Sequence, residues 1–137
     1  MKLLPVVICF GLVLQGCAVG GLGRNAAFGA GDAEEAVSGI VGGGLVMRAG
    51  DAGLTQRERV TALKAEYRAL ETAPGGQMVT WRDDNSGHHG TVTARQPYRV
   101  GSQDCRAYTH TIEADGRERT LEGTACRNQD GSWTLLD

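Results

Sequence analysis

The sequence predicts an α+β fold: one N-terminal amphipathic helix followed by a small antiparallel β-sheet, a meander either open or curled into a barrel, with a disulfide across neighbouring strands. Three observations predict it. A capping box at Thr55 opens a run of helical apolar periodicity, short strand-like runs separated by turn residues fill the chain from Gln77, and two cysteines sit symmetrically about Asp115-Gly116 in "CRAYTHTIEADGRERTLEGTAC", residues 105–126.

The chain begins "MKLLPVVICFGLVLQGC", with Lys2, an apolar run from Leu3 to Leu14, and then Gln15-Gly16-Cys17. Residues 1–16 read as a secretory signal peptide, too short and wrongly flanked for a spanning helix. The end of this stretch resembles the lipobox of bacterial lipoproteins, in which a small residue precedes a cysteine that is acylated and becomes the first residue of the mature chain. That resemblance implies acyl chains, palmitate among them, on Cys17. Ala18 follows where an Asp would favour retention in the inner membrane, so lipoprotein sorting rules point to the outer membrane.

Residues 17–53 form the next segment, a lipidated Gly-rich tether or a weak Gly-zipper. Gly39 and Gly43 give one GxxxG spacing within "VSGIVGGGLVM", an apolar run that Arg48 ends well short of a membrane span. Three adjacent glycines weaken a helix by about 1 kcal/mol each relative to alanine. Residues 54–137 are the expected domain. Its helix starts at Thr55-Gln56-Arg57-Glu58, a capping box, carries Val60, Leu63, Tyr67 and Leu70 as an apolar stripe that packs on the sheet, and stops at Pro74-Gly75-Gly76.

The strands follow as "QMVTWR", then "TVTA" after the turn "DDNSGHHG", then "PYRVG", the two arms of the hairpin, and "SWTLLD" after Asp130-Gly131. Asp-Gly is a strong two-residue hairpin signal because both positions need positive φ. Taking that turn as the register places Ala114 opposite Arg117, Ile112 opposite Arg119, His110 opposite Leu121, Tyr108 opposite Gly123 and Cys105 opposite Cys126. The cysteines then occupy a non-hydrogen-bonded pair with Cα atoms roughly 4.5 Å apart, within reach of a disulfide. Tyr108, Ile112, Leu121 and Ala125 share the core face, while Thr109, Thr111, Thr120 and Thr124 line the other face with the disulfide. A structural disulfide belongs in an oxidising compartment, which agrees with the signal peptide. The four cysteines are thereby assigned: Cys9 leaves with the signal, Cys17 is lipidated, and Cys105 and Cys126 pair.

Loss of Lys2 with the signal leaves 13 basic against 16 acidic residues, so nothing draws the protein to nucleic acid. The three histidines, His88, His89 and His110, show neither HxxxH nor HExxH spacing, and Ser86 and Ser132 lack a nucleophile elbow. No catalytic residue, metal or cofactor is expected. Arg106 and Arg127 each follow a cysteine and are expected to clamp acidic side chains such as Glu113 or Glu122, or else an external anion.

The order Trp81, Asn85-Ser86-Gly87, Gly90, Val92, Tyr98, Cys105-Arg106, Tyr108-Thr109, Gly123-Thr124-Ala125-Cys126-Arg127 and Asp130-Gly131-Ser132-Trp133 resembles the C-terminal domain of the 17 kDa surface antigen family of bacterial outer-membrane lipoproteins, over residues 77–134. The resemblance implies a non-catalytic envelope protein held to the outer membrane through acyl chains on Cys17, with an envelope or host protein as partner. The alternative is a periplasm-facing binding module, such as a lysozyme or protease inhibitor or an assembly factor. For that function the candidate binding loop carries Asp83, Asp84, His88 and His89.

Overall fold

The computed structural model describes residues 39–137, so the expected signal peptide and the expected lipidation site Cys17 lie outside the described residues. In chain order the elements are β1 (Ile40–Val41), α1 (Gly44–Arg48), α2 (Gln56–Glu71), β2 (Met78–Arg82), β3 (His89–Ala94), β4 (Tyr98–Val100), β5 (Gln103–Ala114), β6 (Arg117–Arg127) and β7 (Trp133–Leu135). The expected capping box begins α2: the Thr55 hydroxyl accepts from the Glu58 N–H at 3.3 Å, and Glu58 Oε2 accepts from the Thr55 N–H at 2.7 Å.

The strands form one sheet in the order β1-β7-β6-β5-β3-β2, with β4 also paired to β5. Pairing is antiparallel except between β1 and β7, which run parallel, so the sheet is mixed rather than wholly antiparallel. It is open, with β1 and β2 at its edges, and not a barrel. The long strand β5 serves two partners in succession: its N-terminal part pairs with β4 and its C-terminal part with β3. Pro97 stands in the break between those partners, where a residue without an N–H cannot extend the ladder.

The β5–β6 hairpin has the register set by Asp115-Gly116, from Ala114 opposite Arg117 out to Cys105 opposite Cys126. Asp115 and Gly116 both have positive φ, 53° and 72°. Cys105 and Cys126 are disulfide-bonded with Cα atoms 4.0 Å apart.

Both helices pack on one face of the sheet, the inner face. The buried side of α2 is rotated from the expected stripe: Ala62, Leu63, Ala65, Ala69 and Leu70 are buried together with Glu58 and Glu66, while Val60 and Tyr67 are only half-buried. Alanines at the contact let the helix lie close to the sheet, near enough for glutamates to reach polar groups on β5. Residues 39–53, part of the segment read from sequence as a tether or a weak Gly-zipper, pack here as well: Ile40, Leu45, Val46 and Ala49 join the core. Gly39 and Gly43 do not form a helical GxxxG face, since Gly43 is the left-handed N-cap of the five-residue α1.

Candidate functional site

The helix α2 runs antiparallel to β5 and is tied to it by polar side chains at its middle and both ends. At the middle, Glu66 is fully buried. Its Oε1 accepts from the Val46 N–H (2.8 Å) and His110 Nδ1 (2.7 Å), and its Oε2 from the Leu45 N–H (3.0 Å) and the Tyr108 hydroxyl (2.9 Å). The Trp81 indole N–H donates to His110 Nε2 at 2.9 Å. An indole nitrogen can only donate, so His110 accepts at Nε2 and carries its proton on Nδ1, facing the carboxylate. Burial, with the Glu66 charge beside it, pushes the Tyr108 phenol well above its usual range.

Two glycines make room for this network. A Cβ on Gly44, whose φ is 64°, would strike the Glu66 carboxylate, and one on Gly90 would come within 2.5 Å of Trp81 Nε1 and 2.7 Å of the Thr111 carbonyl. The glycine run of residues 42–44 therefore brings backbone N–H groups onto a buried acid.

The C-terminal end of α2 is held by arginines. Arg106 is buried, and its Nη1 donates to the carbonyls of Ala69, Leu70 and Ala73 at 2.8–2.9 Å while Nε donates to the Arg95 carbonyl at 2.7 Å. A cation on the last carbonyls satisfies the open helix end and complements its dipole. Arg127 makes a two-pronged pair with Glu71, both contacts at 3.0 Å, and the Trp133 indole adds a third donor at 2.8 Å. The Arg127 pair holds the Glu71 carboxyl below its usual range. The expected partners Glu113 and Glu122 are not used: each arginine closes on the helix end, because Arg106 and Arg127 lie on the inner face.

The N-terminal end of α2 meets the candidate binding loop. The Ser86 hydroxyl donates to Glu58 Oε1, and His88 Nδ1 stands 3.1 Å from the same oxygen. His88 Nε2 lies 3.1 Å from Asp115 Oδ1 at the hairpin tip. One imidazole thus bridges the helix start, the loop and the tip. Burial alone would raise the Glu58 carboxyl, but the Ser86 hydroxyl, the Thr55 backbone and hydroxyl, and His88 outweigh it and bring it down to about 2. For His88 burial opposes the charged form, and the contacts to Asp115 and Glu58 overcome it and raise the imidazole above its usual value.

The structure brings the loop residues together unevenly. Asp83 turns inward on its own loop, accepting from the Asn85 and Ser86 N–H groups at 2.9 and 3.1 Å. Asp84 is exposed, 3.8 Å from Arg82. His89 begins β3 and pairs with Glu113 at 3.1 Å. Both ring nitrogens of His88 face carboxylates, so neither is turned to Ser86 as a base, and among the described residues no cluster of three His, Cys, Asp or Glu is placed to hold a metal. Glu58 and Asp115 were not singled out by the sequence as loop partners; their signals were those of a cap and a turn.

Residues 68–134, which carry the arginine clamps, the loop and the stapled hairpin, match the family model described as 17 kDa outer membrane surface antigen. Over this region the chain is similar to that family. Its similar proteins include the "17 kDa surface antigen" of Rickettsia bellii (strain RML369-C), 40% identical over 87 residues, which cover 63% of this chain and 55% of the relative. The proteins of the same name from Rickettsia conorii (strain ATCC VR-613 / Malish 7) and Rickettsia prowazekii (strain Madrid E) are each 40% identical, over 86 and 83 residues, covering 62% and 60% of this chain and 54% and 52% of theirs. The chain spans about half the length of these surface-antigen relatives. No solved structure matches it.

Proposed function

We propose that the protein is an outer-membrane lipoprotein, a non-catalytic structural or surface-antigen component of the bacterial envelope. The family match of residues 68–134 carries this reading, and the sequence Leu14-Gln15-Gly16-Cys17 supplies the anchor. In this reading acyl chains on Cys17 hold the domain, and residues 18–38 connect them. The disulfide and the clamps at both ends of α2 suit a small domain to an oxidising, exposed compartment.

The test has two parts. Intact mass of the protein from cells should show acylation that Cys17→Ser abolishes. Protease treatment of intact cells should remove the domain if it faces outward; protection until the cells are permeabilised would turn the reading to the periplasm-facing binding module. The loop supports that second reading in one respect: its internal hydrogen bonds to Asp83 fix its shape, as an inhibitor loop requires, leaving Asp84 and His89 as its outward groups. Loss of partner binding on replacing those two by alanine would favour it.

A further inference from the structure

The outer face of the sheet is covered by neither helix. Its side chains follow from the register as rows that cross the strands. One row is Val41, Thr134, Cys126, Cys105 and Tyr98, across β1, β7, β6, β5 and β4. A second is Leu136, Thr124 and Ala107; the Leu136 N–H continues the ladder by donating to the Thr124 carbonyl at 2.8 Å. Further towards the hairpin tip come Met78, Thr93, Thr109 and Glu122, then Thr80, Thr91, Thr111 and Thr120, and last Arg82, His89, Glu113 and Glu118.

Two properties of this face stand out against chance. Of the six large apolar side chains exposed among the described residues, five lie on it: Val41, Met78, Tyr98, Val100 and Leu136. Its charge is also graded. The first row holds no ionisable carboxylate, imidazole or cation; the second ends at Arg95, whose N–H donates to the Ala107 carbonyl at 2.8 Å, Arg95 and Glu122 flank a cavity of about 340 Å³, and the row with both signs of charge is at the tip. This end contains β1, the first strand of the described residues, so the described chain begins there.

We propose that this apolar end, formed by Val41, Tyr98, Val100 and Leu136 around the disulfide, rests on the surface of a phospholipid bilayer, with the hairpin tip pointing away. The inference rests on the lipoprotein reading for its orientation. A chain anchored by acyl groups and entering at β1 holds that end against the lipid. Aliphatic side chains with one tyrosine suit the boundary between headgroups and acyl chains, where tyrosine is enriched, and Arg95 at the end of the second row suits the headgroup phosphates. Isolated exposed apolar residues are ordinary; their concentration on one face beside the chain's entry is what points to a surface contact. The charged row at the far end would be costly to desolvate and keeps the tip in water.

The full-length acylated protein, reconstituted in vesicles of phosphatidylethanolamine and phosphatidylglycerol, tests this. Spin labels would be placed singly at Leu136→Cys and, as a control at the other end of the same face, Thr120→Cys. On going from detergent-free buffer with the unacylated Cys17→Ser protein to vesicles, the 136 label should lose collisions with a water-soluble nickel relaxant severalfold and gain collisions with oxygen, while the 120 label stays unchanged. Tyr98→Glu with Val41→Glu should restore the nickel collisions at 136 without altering the fold by circular dichroism. A protein that floats with the vesicles through its acyl chains but keeps the 136 label in water overturns the surface contact and leaves the lipoprotein reading standing. If mass shows no acylation, the unacylated protein mixed with the same vesicles decides: protection at 136 upholds the contact and its absence overturns it. Protection at 136 that persists without lipid and is accompanied by label-to-label dipolar coupling assigns the face to a second copy and overturns the proposal.

Discussion

The two ends of α2 are fastened to the same hairpin by opposite chemistry. At the C-terminal end, beside the disulfide, guanidinium groups sit on carbonyls and on Glu71. At the N-terminal end, beside the Asp115-Gly116 tip, the fastening passes through His88 between Glu58 and Asp115. A guanidinium keeps its charge throughout the accessible pH range, whereas an imidazole changes charge near neutrality. One end of the domain is therefore permanently fastened and the other is fastened conditionally.

The largest effect is expected between the two ends. Glu66→Ala would leave two backbone N–H groups, Tyr108 and His110 without their acceptor, and a loss of about 3–5 kcal/mol is expected from urea unfolding. Arg106→Ala comes next. It strips the donor from four carbonyls, at a cost of about 3 kcal/mol or more, and Arg106→Lys should not restore it because a single ammonium cannot reach both the helix end and Arg95. The deficit of Arg106→Ala should be the same at pH 6 and pH 9; a deficit that shrinks with pH would break the contrast between the ends.

Opening the Cys105–Cys126 bond should cost about 3 kcal/mol in the chain-entropy account, read as a fall in melting temperature on adding reductant. At the other end, Thr55→Ala removes the cap hydroxyl and should cost about 1 kcal/mol.

The pH dependence is the smallest effect and the most direct comparison. The folded-state value of His88 is raised, so its contribution is fully present below the usual imidazole value of 6.5 and is lost as pH rises through the raised value. Glu58 is lowered from 4.5 to about 2, so its contribution is present above 4.5 and is lost as pH falls towards 2. The N-terminal fastening is thus strongest between those limits. The alkaline decline in stability should vanish in His88→Gln and in Asp115→Asn, and survive in Arg127→Gln. Nuclear magnetic resonance of the His88 ring should give a titration above the ordinary value that Asp115→Asn lowers.

Much of the sheet was legible because its signals are local. Asp115-Gly116 sets the hairpin register, and with it the cysteine pairing, since a slip of one residue would put the sulfurs on opposite faces. The same alternation already places Arg106 and His110 on the core face with Tyr108, a signal present in the sequence but masked by the expectation that charged residues face water. The stripe of α2 was read from its bulkiest residues, whereas the sheet selects alanines and two glutamates. Nothing local distinguishes a buried glutamate from a solvated one when its donors lie far along the chain, as Leu45 and Tyr108 do from Glu66. The parallel strand β1 was missed for a related reason: it has only two residues and its partner, β7, lies almost at the other end of the sequence.

The sequence by itself determined α2, the strands β2–β7, the hairpin register and the disulfide, because turn chemistry, capping and strand alternation act over a few residues. Only the tertiary structure decided which polar groups are buried together, where residues 39–53 dock, and which sheet face stays bare. Those depend on groups distant in sequence meeting in a low-dielectric core, where a carboxylate is stable only once every donor it needs has been brought to it.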